Sequence, residues 1–142
     1  MNHDHRPTGL TQDAGFQIGV SRTLPVPPAE VWRFLTSPEG LALWLGEGAD
    51  IGTEHGSSYT TADGTTGEVR GFREGARLRL THRPSGAVAE TTVQVTVTPR
   101  GEGAMLRFHQ ERLPDAAARA ERREHWYAVM ETVVNSLAPQ HR

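Results

Sequence analysis

Polar residues at the ends of apolar rows are where this sequence can do chemistry. Read as a strand, 76–83 puts Leu78, Leu80 and His82 on one face and Arg77, Arg79, Thr81 and Arg83 on the other, since strand side chains alternate. The same reading of 104–111 turns Leu106, Phe108 and Gln110 inward and Arg107 and His109 outward. A polar group inside a core must be hydrogen-bonded. His82 and Gln110 therefore either find backbone or water, as a strand-end histidine ordinarily does, or act as handles for a molecule bound beside them. Tyr59, Glu68 and His125 are weaker candidates for the same interior, because each more often caps an element or faces solvent. A general acid–base pair of His82 with Glu68 is conceivable across neighbouring strands.

No stronger constellation accompanies them. From residue 16 onward there is no His-x-x-x-His or His-Glu-x-x-His metal pair, no Gly-x-Ser-x-Gly elbow and no glycine-rich phosphate loop. All 15 basic residues are Arg, so Schiff-base chemistry and a Walker-type lysine have no residue to use. Catalytic residues stay unassigned, and no metal and no cofactor is expected.

The elements that must position these side chains can be read in order. Residues 1–15 carry His3, Asp4, His5, Arg6 and Pro7 without an apolar period and read as a disordered N-terminal tail. Phe16, Ile18, Val20 and Leu24 then alternate with polar neighbours as a half-buried strand, with Arg22 snorkelling outward near its end. Pro27-Pro28 opens a short helix with Val31, Trp32 and Leu35 on its apolar face. Ser37-Pro38 caps a second one, whose stripe is Leu41, Trp44 and Leu45. Candidate strands follow near 57–61, 66–73, 76–83, 89–98 and 104–111, divided by turn signals at Asp63-Gly64, Glu74-Gly75, Pro84-Ser85-Gly86 and Arg100-Gly101-Glu102-Gly103. Turns this short favour an antiparallel meander. Val69 and Phe72 have opposite parity, so a bulge is expected near Gly71. Pro114-Asp115 opens the last element, a helix over 115–138 that buries Trp126, Met130, Val133 and Leu137 and ends at Pro139.

A chain of 142 residues is one ordinary domain, here 16–142 after the tail. No apolar run is long enough to span a bilayer and the N-terminus has no signal-peptide core, which with the lack of cysteine fits the cytoplasm. The formal net charge of −2 does not steer the chain to nucleic acid or to a membrane. The outward arginines (Arg77, Arg79, Arg83, Arg107) read as a solvated face laced to Glu68, Glu90 and Glu111. The other use of such a row is an acidic protein partner.

One pattern is specific. Leu24-Pro25-Val26-Pro27-Pro28-Ala29-Glu30-Val31-Trp32, then Leu35-Thr36-Ser37-Pro38-Glu39-Gly40-Leu41 and Trp44, resembles the bacterial relatives of the activator of Hsp-90 ATPase, within the START and polyketide-cyclase-like superfamily. Gly67-Glu68-Val69, the Leu78-to-His82 strand, Leu113-Pro114 and the helix stripe from Trp126 match downstream, so the likeness covers roughly 16–138. The resemblance implies an α+β helix-grip fold: a curved antiparallel sheet, two short helices, and a long C-terminal helix enclosing a cavity. It also implies a small apolar ligand in that cavity, of lipid, sterol or polyketide kind, while the sequence leaves monomer or homodimer open. Periodicity and resemblance together nominate Trp44, Tyr59, Phe72, Leu80, Phe108, Trp126 and Met130 as its lining, with His82 and Gln110 as polar handles. A cyclase- or hydrolase-type enzyme using those polar groups, and a co-chaperone-like interaction protein, are the alternatives, because fold does not determine function.

Overall fold

In the computed structural model, which describes residues 10–11 and 15–138, the elements follow the expected order. They are β1 (Leu10–Thr11), β2 (Gly15–Leu24), α1 (Pro28–Leu35), α2 (Pro38–Trp44), β3 (Ser58–Thr60), β4 (Thr66–Arg73), β5 (Arg77–His82), β6 (Thr91–Arg100), β7 (Gly103–Leu113) and α3 (Ala116–Leu137). All strand pairs are antiparallel, in the order β1-β2-β7-β6-β5-β4-β3. The meander closes when β7 returns to β2, a pairing that holds Val20 opposite Phe108. Leu10–Thr11, inside the segment expected to be a tail, pairs with Gly15–Phe16 as a short edge strand. The remainder of that expected tail, residues 1–9 and 12–14, lies outside the described residues, as does Pro139.

Local chemistry explains the helices. Pro28 begins α1, where its missing N–H costs nothing. Ser37 caps α2 by accepting from the Gly40 N–H at 3.1 Å. Asp115 does the same for α3, accepting from the Ala118 N–H at 2.8 Å. Helix α3 packs mainly on β2, with α2 and β7 as further neighbours, and buries Trp126, Val129, Met130 and Val133, whereas Leu137 is only half-buried. Arg22 is exposed, as its position at the strand end predicted, and meets Glu131 of α3 at 3.6 Å.

Two bulges shape the sheet. Val69 pairs with Leu80 but Gly71 pairs with Arg79, so Arg70 is the extra residue. That one insertion reverses parity and lets Val69 and Phe72 both pack against the core. The second lies between β2 and β7, where Phe16 pairs with Leu113 and Ile18 with Gln110. Across it stands Arg112, the sole non-glycine with positive φ (68°) among the described residues.

Thr81 departs from its expected outward, exposed place: it is buried. Tyr59 of β3 reaches past Gly67 and donates its hydroxyl hydrogen to the Thr81 carbonyl at 2.6 Å, while the Thr81 hydroxyl accepts from the Glu68 N–H at 2.9 Å. Gly67 permits this, since a Cβ there would stand 2.0 Å from the Thr81 oxygen. On the outer face Arg79 donates to Glu111 at 2.8 Å and to Gln94 at 3.2 Å, but Glu68 pairs with Arg70 instead of joining the row. Arg77, Arg83 and Arg107 are exposed. No described helix is long and apolar enough to cross a membrane.

Candidate functional site

The central space between α3 and the sheet is filled. Trp126 stacks on Phe108 with ring centroids 4.8 Å apart and 18° between planes, and Trp44 stands 6.4 Å from Phe108 with its ring tilted by 39°. Leu80, Phe108 and Trp126 have no exposed surface and Met130 has 2%. Open volume begins where these rings end. The first ten residues of α3, Ala116 to His125, bury no side chain fully, and Arg119 Nε ties this part of the helix to the Gln17 carbonyl of β2 at 2.7 Å. Between the helix, the strand ends at His82, Thr91 and Gln110, and the loop after β5 lies a cavity of about 340 Å³. A second cavity, of about 450 Å³, adjoins it toward α2 and shares His82, Pro84, Glu121 and Arg122.

Apolar groups make most of the first wall: Ala87 and Val88 from the loop, Leu113 and Pro114 from the end of β7, and Ala118 from α3. Val88 is 96% exposed, an aliphatic side chain held in water at the lip.

The polar floor centres on Gln110, which is 1% exposed. Its amide nitrogen donates to Thr91 Oγ1 at 2.8 Å, and its oxygen accepts from Arg122 Nε at 2.8 Å and from Trp126 Nε1 at 2.9 Å. Arg122 also lies over the Trp126 ring, 5.3 Å from its centroid. Its charge makes no ion pair with a described residue, and burial pulls its pKa below the usual arginine value. His82, 6% exposed, lines both cavities, and its Nδ1 is buried without a hydrogen-bond partner. Burial, then the charge of Arg122, then His125 push the His82 pKa down to about 4. His125 is likewise pushed down to about 4 by burial and by Arg122, against a hydrogen bond to the Trp44 backbone, and its Nε2 is buried unpartnered. Both imidazoles are therefore neutral at neutral pH beside an arginine that stays charged.

Of the residues nominated from sequence, His82 and Gln110 stand on the first cavity and Trp44 on the second. The others stand elsewhere. Leu80, Phe108, Trp126 and Met130 line neither, because aromatic stacking fills the space that was expected to be a void. Phe72 packs edge-on against Trp32 at 5.8 Å, under α1. Tyr59 borders a separate polar groove with Glu68, Arg70 and Glu90. Glu68 belongs to that groove too, on neither His82 cavity, so the His82–Glu68 acid–base pair is not assembled. Among the described residues no cluster of three metal-ligating side chains occurs.

Sequence reasoning missed Arg122, Thr91 and Arg112. Arg122 had a signal: stepping the buried stripe back one turn from Trp126 lands on it. Nothing in the sequence marks the positive φ that places Arg112 at the cavity.

Comparison with known proteins agrees with this architecture. The model of the family described as Activator of Hsp90 ATPase homolog 1-like protein matches residues 25–138. No curated protein matches significantly. Among solved structures, protein CV1439 from Chromobacterium violaceum is 26% identical with a TM-score of 0.72, the likeness covering 87% of this chain and 98% of that one. Protein MLL2253 from Mesorhizobium loti is 24% identical with a TM-score of 0.74, over 89% and 99% of the two chains. PFC0360w, an HSP90 activator from Plasmodium falciparum, is 14% identical with a TM-score of 0.71, over 85% and 95%. The last two are likenesses of fold alone.

Proposed function

We propose that this chain, which belongs to the Activator of Hsp90 ATPase homolog 1-like family, binds a small, largely apolar molecule in the cavity between the start of α3 and the strand ends. One observation carries the reading: a partly enclosed space of about 340 Å³ with a mainly apolar wall and a few fixed polar groups at its floor. Ligand sites of small molecules have this character and span roughly 300–1,000 Å³. Because the centre is filled, this reading sets the ligand outward from where the resemblance would put it. The ligand meets His82, Gln110 and the loop Ala87–Ala89, and does not insert between Phe108 and Trp126.

The groups on the floor suit binding more than turnover. Gln110 has its oxygen committed to two donors and its nitrogen to Thr91, an arrangement that holds Arg122 and Trp126 in place. Rigid floors of this kind lower the entropic cost of ordering side chains around a ligand.

Native mass spectrometry of the purified protein, with extraction of whatever is bound, tests this directly. A thermal-shift screen of fatty acids, sterols, flavonoids and polyketides complements it. A ligand at one hundred times its Kd should stabilise the fold by about 2.7 kcal/mol. Ala118→Trp, which places a ring on the cavity wall, should abolish that shift. A flat screen with no bound molecule recovered would refute the proposal and turn attention to a protein partner.

A further inference from the structure

Resting on the reading of this cavity as a ligand site, we propose that its ligand is an apolar organic acid whose carboxylate is held by the Arg122 guanidinium. Arg122 is fixed from two sides. Its Nε donates to Gln110 Oε1 at 2.8 Å, and its plane lies over the Trp126 ring at 5.3 Å. The two terminal nitrogens make no hydrogen bond or ion pair with a described residue, yet the side chain lines both cavities. The fork opens on the cavity, where it matches a carboxylate in two parallel bonds, and the partial burial of the side chain strengthens such a pair over one at a fully exposed site.

Two neighbours suit the same ligand. His82 borders both cavities beside Arg122, and its neutral imidazole adds a polar edge to the floor without competing for the guanidinium. Arg112, turned to positive φ (68°) beside the β-bulge, adds a second cation to the rim of the first cavity. Glu121 is the one acidic residue on that lining and is exposed, so the local balance is positive although the whole chain carries −2. The remaining wall, from Ala87 and Val88 across to Leu113 and Ala118, is apolar and takes the rest of the molecule.

Matched pairs of probes test the carboxylate separately from the cavity. Binding of decanoate and 1-decanol, and of 2-naphthoate and 2-naphthalenemethanol, is measured by calorimetry on the full chain at pH 7.5. At least one acid should bind about tenfold or more tighter than its alcohol, the worth of a charge-assisted bond. Which pair shows the larger gap distinguishes a chain-like from a ring-like acid. Arg122→Gln should remove that advantage, so that acid and alcohol then bind within about threefold of each other. Should Arg122→Gln fail to fold, the methyl ester of the tighter acid on the unaltered protein decides, and it should bind no better than the alcohol. Alcohols that bind as tightly as acids, or an advantage that survives Arg122→Gln, would overturn the carboxylate and leave the cavity reading intact. If neither acids nor alcohols bind, both inferences fall.

Discussion

Replacing Gln110 with Leu should cost far more than the loss of one amide. Leu keeps the volume and apolar area but deletes both the acceptor of Arg122 and Trp126 and the donor to Thr91. Trp126 has no exposed surface, so its indole N–H loses its only described partner with no water to replace it. An orphaned buried donor costs about 1–3 kcal/mol. Arg122 borders the cavity and can regain water, which discounts its charged bond to about 1 kcal/mol. Thr91 keeps its hydrogen bond to the His82 carbonyl at 3.2 Å and adds little. The sum is about 2–4 kcal/mol, or a fall in Tm on the order of 10 °C for a domain of this size. Urea unfolding followed by tryptophan fluorescence gives the free energy, and an unchanged m-value shows that the same transition is compared. Gln110→Glu is the control, since a carboxylate still accepts from Trp126 and pairs with Arg122; it should lose less than half as much. Gln110→Leu within about 0.5 kcal/mol of the parent, or Gln110→Glu as harmful as Gln110→Leu, would refute the network argument.

Three further outcomes follow from the same structure. Met130→Ala, at a site 2% exposed beneath the Trp126 turn, should cost about 2–5 kcal/mol in the same assay, and a loss under 1 would show that the core refills the gap. Arg79→Gln should lower stability by no more than about 1 kcal/mol, because its pair with Glu111 is partly solvated; a larger fall would mean that this face is covered in solution. His82 is neutral when folded, with a pKa of about 4 against 6.5 unfolded, so the unfolded state binds the proton first as pH falls. Its contribution is therefore complete above pH 6.5 and declines toward pH 4, by on the order of 3 kcal/mol at about 1.4 per pH unit. The stability difference between the parent and His82→Gln, measured from pH 7 to pH 4.5, should track that decline, and a pH-independent difference would contradict it.

How much of this was legible beforehand depended on the range over which each feature is set. Alternation along Phe16–Leu24 and Leu78–His82, the Ser37 and Asp115 caps and the Asp63-Gly64 turn are local, and each element formed within a residue or two of its expected place. The polarity of His82 and Gln110 at the ends of apolar rows also marked where the sheet's inner face meets something other than core, and both stand on the cavity. What a one-dimensional pattern does not carry is how far three rings reach toward one another. The stacking of Trp126 on Phe108, with Trp44 alongside, filled the centre, and that distance is set by the angle at which α3 crosses β2 and β7. The bulge opposite Phe16–Ile18, which turns Arg112 to the cavity, comes from a register chosen between residues more than ninety positions apart. Periodicity therefore determined which residues face inward. Only the packing of the helix on the sheet decided which of those become solid core and which are left with an open side.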